Sequence, residues 1–398
     1  MKIRFLLTAI VLLFAGQILA EQTQPSSPDS LLQSAAQAIS ASNLDRAEHE
    51  LDLVLSSTPD DARALDLLGV IRVLRHSENE AEDFFKRAVQ KNPQFAPSHA
   101  HLGLLYLQLR REDEALTELR AATRIDPART DAAAALVHTL QKQSHAAVDA
   151  SDFQKALALL NEARKCSPDN SDLQFEFGMV ALRLSLFQDA SGAFEKALQL
   201  RKDDALAHYN LGRAFMGLSK FAEARQQFFE YIKLRPNDPS GHCALGMTQA
   251  ALEHSEEARI EFQRSIDLEP AQAEAYYRMA LLEFGAGDIE AAHRNINHVL
   301  DREPTHAGAL TVSGKIAFQQ KDYARSISIL ERAIANDDSM REAHYYLGLA
   351  FAREGKKLES EEQLEIATRL EREETENRRT VLILGPDSTA PQGTSSQN

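Results

Sequence analysis

The spacing of the prolines constrains this chain more than any other feature. Pro59, Pro93 and Pro127 stand 34 residues apart; Pro168 follows after 41, Pro236 after 68, and Pro270 and Pro304 after 34 each. A fixed interval of this length means one supersecondary unit copied in tandem. The residues between the prolines keep the same interval. Gly69, Gly103, Gly178, Gly212, Gly246, Gly314 and Gly348 recur at 34 or 68 wherever no insertion intervenes. A second series runs Ala47, Ala81, Ala115, Ala156, Ala190, Ala224, Ala258 and Ala292. Four residues after each comes a large apolar side chain: Leu51, Phe85, Leu119, Leu160, Phe194, Phe228, Phe262 and Ile296. Three further on a mostly small residue returns, with Tyr231 and Ser265 as exceptions.

Positions i, i+4 and i+7 fall on one face of an α-helix. Helix formers dominate the composition and β-branched clusters bounded by turn residues are scarce, so each unit reads as a pair of antiparallel helices. On this reading the Gly of the first helix lets the second approach, and the Ala of the second completes the contact. The large residue is expected to fill space left by the next hairpin. Pro closes the unit, because it cannot continue a helix interior. One hairpin cannot bury its apolar face alone, so neighbours must stack.

The pattern resembles the tetratricopeptide repeat (TPR) family, whose 34-residue signature is Leu-Gly, an aromatic, Ala, an aromatic and Pro. Leu102-Gly103, Tyr106, Ala115, Leu119, Ala122 and Pro127 form the best copy, and Leu211-Gly212, Phe215, Ala224, Phe228 and Pro236 a second. The resemblance implies an all-α fold, a right-handed superhelical solenoid of about ten helix-turn-helix hairpins over residues 28–372. Departures are informative. The first unit has Ser34-Ala35 in place of Leu-Gly, as terminal repeats often do. The eighth has Met279-Ala280, the ninth and tenth put Ser326 and Ser360 where Ala is usual, and the ninth ends in Asp338 rather than Pro. The fourth carries seven extra residues within 141–151, which either lengthen the helix pair or make a projecting loop.

The flanks read differently. Lys2 and Arg4 precede an apolar run over residues 5–16, and Ile18-Leu19-Ala20 offers a cleavage point before Glu21, the layout of a secretory signal peptide over residues 1–20. The run is short for a membrane span, which needs about 20 residues. A periplasmic or secreted location is expected, with an uncleaved N-terminal anchor as the alternative and membrane association only in that case. No Cys follows the run, which excludes lipid attachment there. Residues 21–29 read as a Pro/Ser/Gln-rich linker. The last helix is rich in Glu and Arg, as an end cap would be, and residues 373–398 comprise its end and a polar tail expected to be disordered. The apolar Val381-Leu382-Ile383-Leu384 is read as tucking onto the end of the array. Cys166 and Cys243 fall in different repeats, too far apart to bridge if the hairpins stack, and both read as buried small hydrophobes.

The chemistry expected of an enzyme is missing from the sequence. There is no phosphate-cradling Gly motif, no zinc spacing of Cys and His, no H-E-x-x-H and no G-x-S-x-G. His99, His208, His242 and His344 each stand four residues before the repeat Gly. Recurrence argues for a structural role, taken here as packing between successive first helices, because metal ligands converge rather than recur. A net charge of −15 disfavours nucleic acid as a partner, which would need a basic stripe. No cofactor or metal is expected.

The family resemblance implies a concave surface lined by the first helices, at residues three before and one after the Gly. Those positions supply the candidate partner-binding residues Phe175, Met179, Tyr209, Arg213, Met247, Tyr277 and Tyr345, an aromatic and Met-rich wall suited to peptides. The Lys/Asn/Arg clamp by which some family members hold a C-terminal carboxylate is absent: Asn210 matches, but Phe175, Ser240 and Ala244 stand where basic residues are required. The expected function is a non-catalytic scaffold for protein or peptide partners. An accessory subunit of an envelope assembly or polysaccharide export complex is one alternative, and a substrate-recruiting subunit of an enzyme complex another.

Overall fold

A computed structural model describes residues 27–384, with side chains to residue 373. The signal peptide, most of the linker and the polar tail expected from the sequence lie outside the described residues, as do the side chains of 381–384. The described residues form twenty α-helices and no strand. In chain order they are α1 Pro28–Ser40, α2 Leu44–Ser57, α3 Ala62–Leu74, α4 Glu78–Lys91, α5 Ala96–Gln108, α6 Glu112–Ile125, α7 Thr130–Asp149, α8 Phe153–Cys166, α9 Ser171–Arg183 and α10 Phe187–Leu200. They continue as α11 Ala205–Gly217, α12 Phe221–Leu234, α13 Pro239–Ala251, α14 Ser255–Leu268, α15 Ala273–Gly285, α16 Ile289–Arg302, α17 Ala307–Gln319, α18 Tyr323–Asn336, α19 Arg341–Arg353 and α20 Lys357–Leu384. They divide into two compact units, up to Val180 and from Ala181 onward.

In both units odd- and even-numbered helices pair as hairpins, and successive hairpins stack. The first unit places its core under α1 to α6, around Leu51, Ile71, Phe85 and Leu105, all fully buried. Ion pairs tie its hairpins together at the rim: Arg72 bonds Glu48 of α2 and Glu80 of α4, each at 2.6 Å, and Arg111 bonds Glu82 at 2.8 Å. The second unit carries a chain of smaller clusters around Phe262, Ile296 and Leu330.

The packing contact repeated in both units sharpens one expectation. The large residue of the second helix sits directly over the Gly of its own hairpin and also meets the next one: the Phe85 ring tilts onto His101 of α5 at 5.6 Å, and Phe262 shares a buried cluster with Ala275 and Met279 of α15. A Cβ built at Gly69 would stand 2.5 Å from the Phe85 ring, at Gly246 2.7 Å from Phe262, and at Gly314 2.5 Å from Leu330. Where the centre is Ala, the facing residue is aliphatic: Ala35 shares a buried cluster with Leu51, and Ala280 with Ile296.

The exceptions in the small-residue series each have a local partner. Tyr231 donates its hydroxyl to Asp238, and its ring occupies room left by Gly241, where a Cβ would come within 2.7 Å. Ser265 donates to Pro239 O at 2.8 Å, and Ser326 to Gly314 O at 2.9 Å. The seven extra residues of the fourth hairpin lengthen a helix and make no loop: α7 runs 20 residues where the other first helices have 13.

Each hairpin turns on a single residue with positive φ. Eight of the ten are not glycine: Ser42, His76, Arg110, Ser151, Ser185, Ser219, Glu253 and Lys321, alongside Gly287 and Gly355. At the second turn His76 N donates to Val73 O at 3.1 Å and Ser77 N to Arg72 O at 2.9 Å, closing the last carbonyls of α3 in a Schellman arrangement. Left-handed backbone costs a non-glycine residue about 1–2 kcal/mol. These two bonds, together with the burial that follows when the hairpin closes, offset it.

The four recurrent histidines also differ from expectation. Each ring ties its own hairpin to the loop before it, rather than packing between successive first helices. His99 Nδ1 meets Glu118 at 2.6 Å and its Nε2 faces Pro93 O at 3.2 Å; His242 makes the same contacts with Glu261 at 2.7 Å and Pro236 O at 3.2 Å. His208 and His344 face Gln227 at 2.8 Å and Gln363 at 2.7 Å instead. In the fifth hairpin Gln174 stands at the same position and donates to Pro168 O at 2.9 Å. A glutamine can turn its NH₂ towards a neutral ring nitrogen, whereas a carboxylate and a carbonyl together require both ring N–H groups. The Glu118 carboxylate accordingly holds the His99 imidazolium above the usual histidine range, against the opposing effect of burial.

Gly246→Ala should destabilise the chain by about 1–3 kcal/mol through overpacking. Phe262→Leu in the same chain should recover most of the loss, read as the midpoint of thermal unfolding. For His99, the folded value lies above the unfolded one, so its contribution is complete below the unfolded imidazole's pKa and is lost as pH rises through the folded value. Glu118→Gln should flatten that alkaline decline and return the His99 ring to the ordinary range, measured by NMR titration.

Candidate functional site

The first helices of the second unit present one side chain per turn on a common face. Taking the Gly (or Ala280) as centre, the residues three before, one after and four after it share that face. On α11 these are Tyr209, Arg213 and Met216; on α13, Cys243, Met247 and Ala250; on α15, Tyr277, Leu281 and Phe284. On α17 they are Thr311, Lys315 and Phe318, and on α19 Tyr345, Leu349 and Ala352.

The residues three before the centre mostly turn inward. Tyr209 stands edge-on to Phe228 at 5.6 Å and tilts onto Tyr231 at 5.0 Å. Tyr277 packs against His306 at 4.8 Å and under Gly308, where a Cβ would come within 2.5 Å of its hydroxyl. Burial raises both phenol pKa values. Cys243 is buried, its thiol pushed up to about 12 by desolvation, so it stays neutral and acts as a small apolar group. Cys166 is only half-buried, contrary to expectation, and both cysteines are free. Tyr345 alone among the candidate tyrosines is exposed, at 44%, with its ring edge-on to Tyr346.

The residues after the centre form the recess. Met216, Met247 and Ala250 join Phe262, Arg278, Leu281 and Leu282 around an open pocket of about 350 Å³. Its walls are three first helices and its floor is the Phe262 ring seated on Gly246. Arg278 is set at its edge by a 2.6 Å bond to Glu274. Arg213 lies exposed one turn from Met216, donating to the Asn210 side chain at 3.0 Å, and Asn210 is itself fixed to Leu206 O at 2.8 Å. Lys315, at the position equivalent to Arg213, turns inward: its ammonium meets Glu342 at 2.8 Å between the rings of Phe284 at 5.0 Å and Tyr346 at 5.2 Å. That cation is used by the structure to join three successive hairpins.

The structure thus gathers Met247 into the recess and sets Arg213 beside it. Tyr209 is a half-buried brace within its own hairpin and Tyr277 one between hairpins, Tyr345 stands further along, and Phe175 and Met179 are half-buried residues of the first unit. The position four after the centre was not among the sequence candidates, although the helical period places it on the same face; Met216 and Ala250 were missed for that reason. Arg278 had no sequence signal, since its place at the pocket edge depends on how α15 stacks on α13. Among the described residues no group of three or more His, Cys, Asp or Glu side chains is placed to hold a metal ion. No described helix is long and apolar enough to cross a membrane. Tyr209→Ala should lower stability by about 2–3 kcal/mol, less than for a fully buried aromatic. Tyr345→Ala should change it by less than about 0.5 kcal/mol. Chemical denaturation of the two variants measures the difference.

Comparison with known proteins supplies the family. Tetratricopeptide repeat models match residues 77–139, 142–190, 175–239, 277–340 and 313–371. No curated protein matches the chain. Among solved structures, MamA from Desulfovibrio magneticus RS-1 has 19% identity and a TM-score of 0.41, over 42% of this chain and 96% of its own. A tetratricopeptide repeat protein from Parabacteroides merdae ATCC 43184 has 18% identity and a TM-score of 0.47, over 64% of this chain and 98% of its own. YrrB, described as a TPR protein with an unusual peptide-binding site, has 20% identity and a TM-score of 0.37, over 46% and 95%. The repeat models match more than half of the chain, over the recurring helical hairpins, and this chain belongs to the tetratricopeptide repeat family.

Proposed function

We propose that this protein is a non-catalytic scaffold that takes a protein or peptide partner on the first-helix face of its second unit. The observation that carries the reading is the Met-lined recess. An open apolar pocket with a few fixed polar groups at its edge is the usual form of a binding site. Two methionines can adapt their shape to an inserted side chain at little cost. Leu281 and Leu282 supply apolar area, and each large side chain buried there contributes about 1.5–3 kcal/mol. Tyr345, further along the same series of helices, supplies an exposed aromatic of the kind enriched at interfaces. The leader-like residues 1–20 support export of the mature chain to the periplasm or the exterior, where the partner would be met.

A photo-crosslinking amino acid in place of Met247 tests both parts in the native host. It should capture a discrete partner, and the captured chain should begin at Glu21 in the envelope or medium fraction. The same probe at Ile260, which is 65% exposed on α14, should capture much less. Equal capture from both positions would remove the recess as the binding face. A chain that retains Met1 and stays in the cytoplasm would remove the export reading.

A further inference from the structure

The recess has a charge character opposite to that of the chain as a whole. The protein carries 59 acidic and 44 basic residues, a net charge of −15. Yet on α11, α13 and α15 none of the residues three before, one after or four after the repeat centre is acidic, and one of them, Arg213, is a cation. The pocket's own cation, Arg278, is engaged by the Glu274 carboxylate at 2.6 Å. Lys315, further along, has its own carboxylate, Glu342, at 2.8 Å. Arg213 has none among the described residues: the contact it makes is with the neutral amide oxygen of Asn210 at 3.0 Å.

This bond matters for what Arg213 can do. It uses one N–H of the five in the guanidinium and, through the Asn210 tie to Leu206 O at 2.8 Å, steadies the side chain. The remaining donors of an exposed guanidinium point to solvent in a planar fork whose geometry matches a carboxylate. Residues three apart on a helix lie about 5–6 Å apart at Cβ, so Arg213 stands one turn from Met216 at the pocket wall. Arg278, on the opposite wall, adds a second positive group, already partly neutralised.

Resting on the scaffold reading above, the geometry points to one chemical class of partner: an extended segment with a bulky apolar side chain and, within a few residues of it, an Asp or Glu side chain. The apolar group enters the pocket between Met216, Met247 and Leu281, and the carboxylate is taken by Arg213. The carboxylate is that of a side chain and not of a chain terminus. The first helices α17 and α19 continue past the pocket with the exposed Tyr345, so a bound segment has wall to follow beyond it and need not end there. A carboxylate meeting a guanidinium forms a charge-assisted bond about twice as strong as a neutral one. The net negative charge of the surrounding chain then acts as a filter. It slows approach of acidic partners in general, and only those that place an acid at Arg213 with an apolar anchor beside it recover the loss.

The test is selection of randomised dodecapeptides displayed by their C-termini, so that no free terminal carboxylate is available, against the chain from Glu21 to Asn398. The wild type should enrich peptides with Leu, Met or Phe and an Asp or Glu within a few positions. Changing that acid to its amide should weaken binding of the isolated peptide roughly tenfold. Arg213→Glu, at an exposed position that leaves the fold intact by circular dichroism, should lose the acidic preference and select Lys or Arg there instead. Enrichment of apolar peptides with no acid, unchanged by Arg213→Glu, would overturn this inference and leave the scaffold reading standing. No enrichment at all by the wild type, with Met247→Asp behaving identically, would overturn both. Enrichment that survives Met247→Asp would place the peptide elsewhere and overturn the inference as well.

Discussion

The structure depends on one close contact made again and again: a small residue at the middle of each first helix, with a large apolar side chain of the second helix lying on it. Gly69 under Phe85 and Gly246 under Phe262 have no room for a Cβ at 2.5 and 2.7 Å. The contact sets the distance between the two helices, and that distance fixes which face each first helix turns to its neighbour. Everything else in a hairpin adjusts to it. The left-handed turn residue closes the loop, the histidine ties the hairpin to the loop before it, and Tyr231 is accepted in a small-residue position because Gly241 makes room.

The same contact produces the recess. The floor of the pocket is the Phe262 ring seated on Gly246, and its walls are Met216, Met247, Ala250 and Leu281, one or four residues past their centres, with Arg278 and Leu282 beside them. Packing therefore precedes binding here: the apolar lining is what is left exposed once the core residues are placed. The cations are sorted by the same logic. Lys315 is drawn between two aromatic rings and spent on joining hairpins, while Arg213, at the equivalent position on α11, has no ring pair or carboxylate among the described residues to fold onto and stays in solvent.

Much of this was legible from the sequence and some was not, for identifiable reasons. The 34-residue interval, the helical pairing, and the small and large positions are local or strictly periodic, so the residues themselves reveal them. The partners are not. That His99 reaches Glu118 and Pro93 O, or that Phe85 lies on Gly69 with its ring against His101, depends on how the helices rotate about each other. The turn residues were unreadable for a different reason. Ser, Arg, His, Glu and Lys all take positive φ here at the same register, and a residue type that usually avoids that region gives no signal when burial elsewhere imposes it.

What the sequence by itself determined is the unit: its length, its two helices, the small and bulky positions, and the seven residues added once. These follow from periodicity, which acts along the chain and needs no knowledge of neighbours. Only the tertiary structure decided where the added residues went, into a longer α7, and which of the candidate side chains remain open to a partner. Tyr209 and Tyr277 were candidates by position and are held as braces; Arg278 gained a place at the pocket that no pattern in its own helix announced. Exposure belongs to the packed hairpins, because each side chain is covered or left free by residues of other helices rather than by those beside it in the chain: Tyr209 by Phe228 and Tyr231, Tyr277 by His306.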